Sequence, residues 1–167
     1  MVSPRSLPTT LVLGIGNLLL TDDGAGIHVV RHLARRQPIR PDIDYVDGGT
    51  LNFLLAPRIE EAERLLVVDA AALGAVPGTR HTFHGEDMDR FLQGRGRSAH
   101  EVGLLDLLTM ARLVGRLPAR RALLGIQPAS LDWGDHPTPA VARAIPQAAQ
   151  EVVHLLEQWG RKWRSDH

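Results

Sequence analysis

The stretch "TLVLGIGNLLLTDDGAGIHVVRHLARRQ", residues 10–37, decides the fold, since it runs from an apolar strand pattern through a glycine-bounded turn into a helical pattern. "TLVLGI" (10–15) is a short β-rich run ending among glycines, as expected of a strand buried on both faces. After the turn, Ile27, Val30, Leu33 and Ala34 fall on one helical face, and Pro38 ends the helix. The turn imitates a dinucleotide-binding loop through Gly14, Gly16 and the later strand-end acid Asp47. It lacks that loop's third glycine, because Leu19 stands in its place, and the helix begins too late for its amino terminus to meet a pyrophosphate. The glycines read instead as room for a closely approaching segment, with the leucines filling the space that a phosphate would need.

Outward from this unit the alternation continues. "DIDYVD" predicts a second strand, stopping at "GGT", and "LNFLLAPRIEEAE" a helix carrying Leu51, Leu54, Leu55 and Ile59, kinked at Pro57. "RLLVVDA" (64–70) is the strongest strand pattern and places Asp69 at its carboxyl end. "TRHTFHG" is a weaker strand suited to an edge. "EDMDRFLQG" predicts a short helix and "GRGRS" a loop, followed by a longer helix, "HEVGLLDLLTMARLVG", and a fifth strand, "RALLGIQP". Thr138-Pro139 reads as a helix start, and Pro146 as the start of a second helix, "PQAAQEVVHLLEQW". Strands alternating with helices predict one three-layer α/β domain with a mostly parallel sheet over residues 1–167, with 1–9 and 161–167 as flexible tails.

Composition bounds the function. The chain has 167 residues, 44% hydrophobic and 23% charged, enough for a real core. Nineteen basic residues balance nineteen acidic ones, so nothing global attracts nucleic acid or an anionic membrane. No apolar run is long enough to span a bilayer, and "MVSPRSLPTT" lacks the apolar core of a secretory signal, so the expected location is the cytoplasm. The absence of cysteine removes disulfides, thiolate metal ligands and a thiol nucleophile together.

In α/β folds, sites form beyond the carboxyl ends of the strands, which singles out the first loop, "DGGT", Asp69 and "IQP". His28 and His32 have HxxxH spacing without a glutamate between them and read as surface residues. His81 and His84 point to opposite faces of a strand. Ser98 has no G-x-S-x-G elbow, and Arg95 and Arg97 fit a solvated loop. Asp23, Asp69 and His100 remain, with Asp22 and Asp47 nearby in outline. Singly, Asp69 could cap the next segment, and His100 could cap a helix or sit on the surface. Together, two carboxylates and an imidazole from separate loops form a three-ligand set that suits nickel or zinc and leaves positions open.

The ordered set "LGIGNLLLTDDGAG", "VDGGT", "LLVVDA", "SAHEVGLLDLL" and "GIQP" resembles the hydrogenase maturation endopeptidases, from about residue 11 to the last helix. The resemblance implies a three-layer α/β/α sandwich around a twisted five-stranded sheet with one antiparallel strand, for which "TRHTFHG" is the candidate. It also implies a cytoplasmic, monomeric protease of aspartic type that removes the carboxyl-terminal extension of a nickel-iron hydrogenase large-subunit precursor after nickel insertion. Asp23, Asp69 and His100 fall on the family's metal-binding positions, with Asp23 or Asp69 available as general base. The nickel arrives with the precursor, and no organic cofactor is implied. Some members have glutamate in place of Asp23 or glycine in place of Asn52, changes that bear on ligand reach and loop shape. With no serine or cysteine nucleophile, water is the expected attacking group, and nickel either polarises the reacting groups or serves as a recognition handle. Two competing readings of the residues are a small-molecule metallohydrolase with its own ion and a nucleotide-binding module.

Overall fold

The structure, a computed structural model, describes the backbone of residues 9–165 and the side chains through Arg161. Its five strands are β1 (Thr10–Gly14), β2 (Ile43–Asp47), β3 (Arg64–Ala70), β4 (Arg80–His84) and β5 (Arg120–Ile126). They form one sheet in the order β2-β1-β3-β5-β4. All neighbours are parallel except β4, which lies antiparallel to β5 at the edge; its polar pattern predicts the edge position, and the family resemblance implies the antiparallel direction.

Two helical layers cover this sheet. Helices α1 (Ala25–Arg36) and α5 (Pro139–Ser165) pack on Val12, Leu66, Val68, Ala122, Leu124 and Ile126. Helices α2 (Ala56–Glu61), α3 (Glu86–Gln93) and α4 (Ala99–Leu113) pack on Leu11, Leu13, Leu65, Val67 and Leu123. The division follows from the two-residue period of a strand, whose successive side chains enter opposite layers. Because both layers are apolar, β3 is buried at every one of its positions. Asp69 is the exception in chemistry, a carboxylate two residues beyond Val67 and therefore on the α4 side.

Several local expectations are corrected. In α1, Val29 is buried and Ala34 is exposed, so the apolar stripe is centred one position earlier than predicted. The predicted kinked helix is a 3-10 turn at Phe53–Leu55 followed by α2, with Pro57 in the first turn of the helix, where its missing N–H costs nothing. Of its predicted stripe only Ile59 is buried, while Leu54 is 83% exposed. Pro146 lies inside α5 rather than at the head of a second helix, because Val141, Ala144, Ala148, Ala149 and Val152 form one continuous buried face across it. That helix continues through 161–165, residues expected as part of a tail, while 1–8 and 166–167 lie outside the described residues. Among the described residues, no helix is long and apolar enough to cross a membrane.

Candidate active site between the ends of β1 and β3

Chain direction reverses around β1 and β3. After β1 the chain crosses to β2 on one side, and after β3 it proceeds to β4 and β5 on the other. Such a switch leaves a crevice at the carboxyl ends of the two strands. Asp23 enters it from the 3-10 turn Thr21–Gly24 after β1, and Asp69 from the end of β3. His100 enters from the first turn of α4, within the helix and not as its cap, which is Ser98.

The glycines let the first loop lie close over these strand ends. At Gly16, with φ +141°, a Cβ would sit 1.9 Å from the Asp23 carbonyl oxygen. At Gly26 it would sit 2.0 Å from the Val68 carbonyl oxygen. The space predicted for an approaching segment is thus taken by the chain itself. Leu19, expected to fill a phosphate's place, is 58% exposed instead.

Asp23, Asp69 and His100 meet in a row with the imidazole in the middle. Asp23 Oδ1 lies 3.0 Å from His100 Nε2, and Asp23 Oδ2 accepts the Asn17 N–H at 2.9 Å. Asp69 Oδ2 lies 3.3 Å from His100 Nδ1, at ion-pair distance but without hydrogen-bond alignment. Ser98 Oγ is 3.1 Å from the same nitrogen. Ser98 also accepts the Glu101 N–H and donates to Glu101 Oε1, both at 3.2 Å. A doubly protonated His100 therefore fills the hydroxyl's remaining acceptor position.

The electrostatics follow from this geometry. Burial pushes the Asp69 carboxyl up to about 7, against the opposing pull of His100. Burial would lower His100, but its contacts with Asp23 and Asp69, together with their charges, push it up to about 10. His100 is thus held toward its protonated form between the two acids. Asp69 is 0% exposed, and neither of its oxygens has an aligned hydrogen-bond donor among the described residues. A buried carboxylate in that condition costs several kcal/mol unless a positive centre compensates it. Oxygen and imidazole donors suit a borderline cation such as nickel or zinc. The carboxylates approach opposite ring nitrogens, so they and His100 are not a ready-made cage, and among the described residues no three His, Cys, Asp or Glu side chains are grouped as one.

Neighbouring acids have other tasks. Asp22 is fully buried, and its oxygens accept the N–H groups of Ala129, Ser130 and Thr138 at 2.8, 3.0 and 2.7 Å and the Thr138 hydroxyl. It fastens the β5–α5 loop to the turn that carries Asp23. Asp47 pairs with Arg31 at 2.8 Å and accepts the Gly49 N–H, so it does not join the row. In "IQP", the Gln127 side chain accepts the Leu73 N–H at 2.6 Å and braces the β3–β4 connection.

Ser98 was weighed in the sequence only as a nucleophile and Glu101 was not singled out, although S-x-x-E is the capping-box signature that could have found their shared role. Their network extends to Arg97, which lies 3.9 Å over the Phe91 ring and 3.3 Å from Glu101. Arg97 is therefore packed rather than solvated, its side chain 12% exposed. His28 is half-buried, with Nε2 enclosed and unpartnered, unlike the surface residue expected. His81 packs edge-on against Phe83, and His136 is exposed beside Asp135.

Comparison with known proteins places this architecture. Residues 27–155 match the hydrogenase maturation protease family, HycI. The hydrogenase expression/formation protein HupD of Rhodobacter capsulatus is 40% identical over 151 residues, covering 90% of this chain and 72% of that protein. The hydrogenase 2 maturation protease of Escherichia coli K12 is 32% identical, with 90% and 92% covered. The solved structure of the E. coli hydrogenase maturating endopeptidase HybD superposes with a TM-score of 0.86 at 31% identity, covering 91% of this chain and 94% of that one. With a family match across most of its length and relatives above 30% identity, the chain belongs to the hydrogenase maturation protease family.

Proposed function

We propose that the chain is the endopeptidase that removes the carboxyl-terminal extension of a nickel-iron hydrogenase large-subunit precursor once nickel is in place, and that Asp23, Asp69 and His100 recognise that nickel. The observation that carries this reading is Asp69, a fully buried carboxylate with no aligned hydrogen-bond donor. A cation delivered by the substrate supplies the missing compensation. Before it arrives, the protonated His100 partly compensates Asp69 and Asp23, so engagement requires the row to open and the imidazole to release a proton.

The chain has no cysteine, and oxygen and imidazole donors fit a transient contact with an ion that keeps other ligands on the precursor. Cleavage follows by attack of water on the scissile carbonyl, with Asp23 or Asp69 as general base, which makes the enzyme aspartic in type. The protein works in the cytoplasm, where the precursor is loaded.

The test is processing of nickel-loaded and nickel-free precursor by the wild type and by Asp23→Asn, Asp69→Asn and His100→Gln. The reading predicts cleavage of the loaded precursor alone and its loss in each variant. Equal cleavage of both precursors would overturn nickel recognition, and full activity in all three variants would overturn the site.

A further inference from the structure

A groove of about 160 Å³ opens along the first half of α4, between Leu51, Asn52 and Phe53 on one side and Ala99, Gly103 and Asp106 of α4 on the other. Ala99 adjoins His100 in the chain, and the loop leading to Leu51 is tied to the first loop by the Gly16 N–H, which donates to the Gly49 carbonyl at 2.9 Å, so the groove lies at the same end of the sheet as the candidate active site. We propose that it receives an extended segment of the protein substrate beside the bond to be cut, with an apolar side chain over Gly103 and a basic residue opposite Asp106. The proposal rests on the proteolytic reading above and specifies which face of that site grips the polypeptide.

Gly103 carries the argument furthest. It sits in the middle of a helix of 15 residues, where glycine costs about 1 kcal/mol relative to alanine. A Cβ added there would meet nothing within 4 Å, so no contact among the described residues requires the glycine. Clearance for something outside the chain accounts for it. The opposite wall is also conformationally costly, because Leu51 holds φ +68°, a region that leucine rarely adopts.

Size and chemistry fix the occupant. A space of about 160 Å³ holds one side chain and its backbone, not the surface of a folded domain. Leu51, Phe53, Ala99 and Leu107 line it, and Phe53 is 71% exposed, an apolar lining suited to an uncoiled apolar segment. Asp106 is exposed and has no ion pair among the described residues, so its charge is free to select a lysine or arginine.

The experiment measures KM and kcat for nickel-loaded precursor with wild type, Gly103→Ala, Gly103→Leu and Asp106→Asn, alongside each Tm. Gly103→Leu is expected to raise KM about tenfold or more, the scale of misplaced methylenes in a specificity pocket, with Gly103→Ala between it and wild type. The Tm of both should equal or exceed that of wild type, which separates blockage from misfolding. Asp106→Asn should raise KM at low salt and lose its effect at high salt. Wild-type KM in Gly103→Leu would overturn the groove, as would a raised KM accompanied by a lowered Tm in Gly103→Ala. Wild type that cleaves neither form of the precursor would overturn the proteolytic reading itself, a separate result.

Discussion

Replacing Asp22, which does not touch the imidazole, should be among the most damaging changes outside the core. Its carboxylate accepts three backbone N–H groups and the Thr138 hydroxyl, all more than 100 residues away in sequence. A hydrogen bond to a charged acceptor contributes about 1.5–3 kcal/mol. Ala129 is exposed, and Ser130 and Thr138 are partly so, and water can therefore replace some of what is lost. We expect about 3 kcal/mol for Asp22→Ala. Asp22→Asn keeps one acceptor atom but turns an NH2 group toward donors, for about 2 kcal/mol. In a domain of this size, 1 kcal/mol moves Tm by roughly 2–4 °C, so the two variants should melt about 6–12 °C and 4–8 °C below wild type by circular dichroism. Hydrogen exchange at Ala129, Ser130 and Thr138 should accelerate together, since one group holds all three. A Tm for Asp22→Asn indistinguishable from wild type, with unchanged exchange at those amides, would show that Asp22 does not hold this loop.

Two further outcomes follow from the same structure. Arg121 grips Asp89 through two hydrogen bonds of 3.0 and 2.6 Å, and with Arg112 it holds that carboxyl below its ordinary value. The folded value thus lies below the unfolded one, so the pair's contribution is complete above the unfolded value near 4 and is lost as pH falls through the folded one. Asp89→Asn should cost about 3 kcal/mol at pH 7, with the gap to wild type closing under acid titration of Tm; a constant gap would refute the pairing. Pro146→Ala should stabilise the protein by about 1–3 kcal/mol, because α5 runs through Pro146 as one helix and proline is costly inside one; unchanged or lowered stability in urea melts would indicate a true break there.

The layers were legible because burial writes itself into composition. "TLVLGI", "RLLVVDA" and "RALLGIQP" are apolar on both faces, and "TRHTFHG" is not, which separated central strands from the antiparallel edge. Asp69 was legible for the same reason, a lone acid ending a run that tolerates none. What was hidden depended on distant or backbone partners. Asp22 beside Asp23 looks like one half of an acid pair, yet its partners are main-chain amides, which no side-chain pattern reveals. Pro57 and Pro146 were both read as interruptions. One fits a first turn and the other is overridden by the apolar face that α5 buries, so tertiary packing decided what local propensity could not.

The proposed function requires that His100 and its two acids meet the nickel carried by the substrate. Nickel K-edge X-ray absorption tests it directly, on loaded precursor with its scissile bond blocked, alone and mixed with the protease. New imidazole scattering around nickel is expected in the mixture, absent with His100→Gln; a nickel environment identical with and without wild-type protease would overturn nickel recognition by this site.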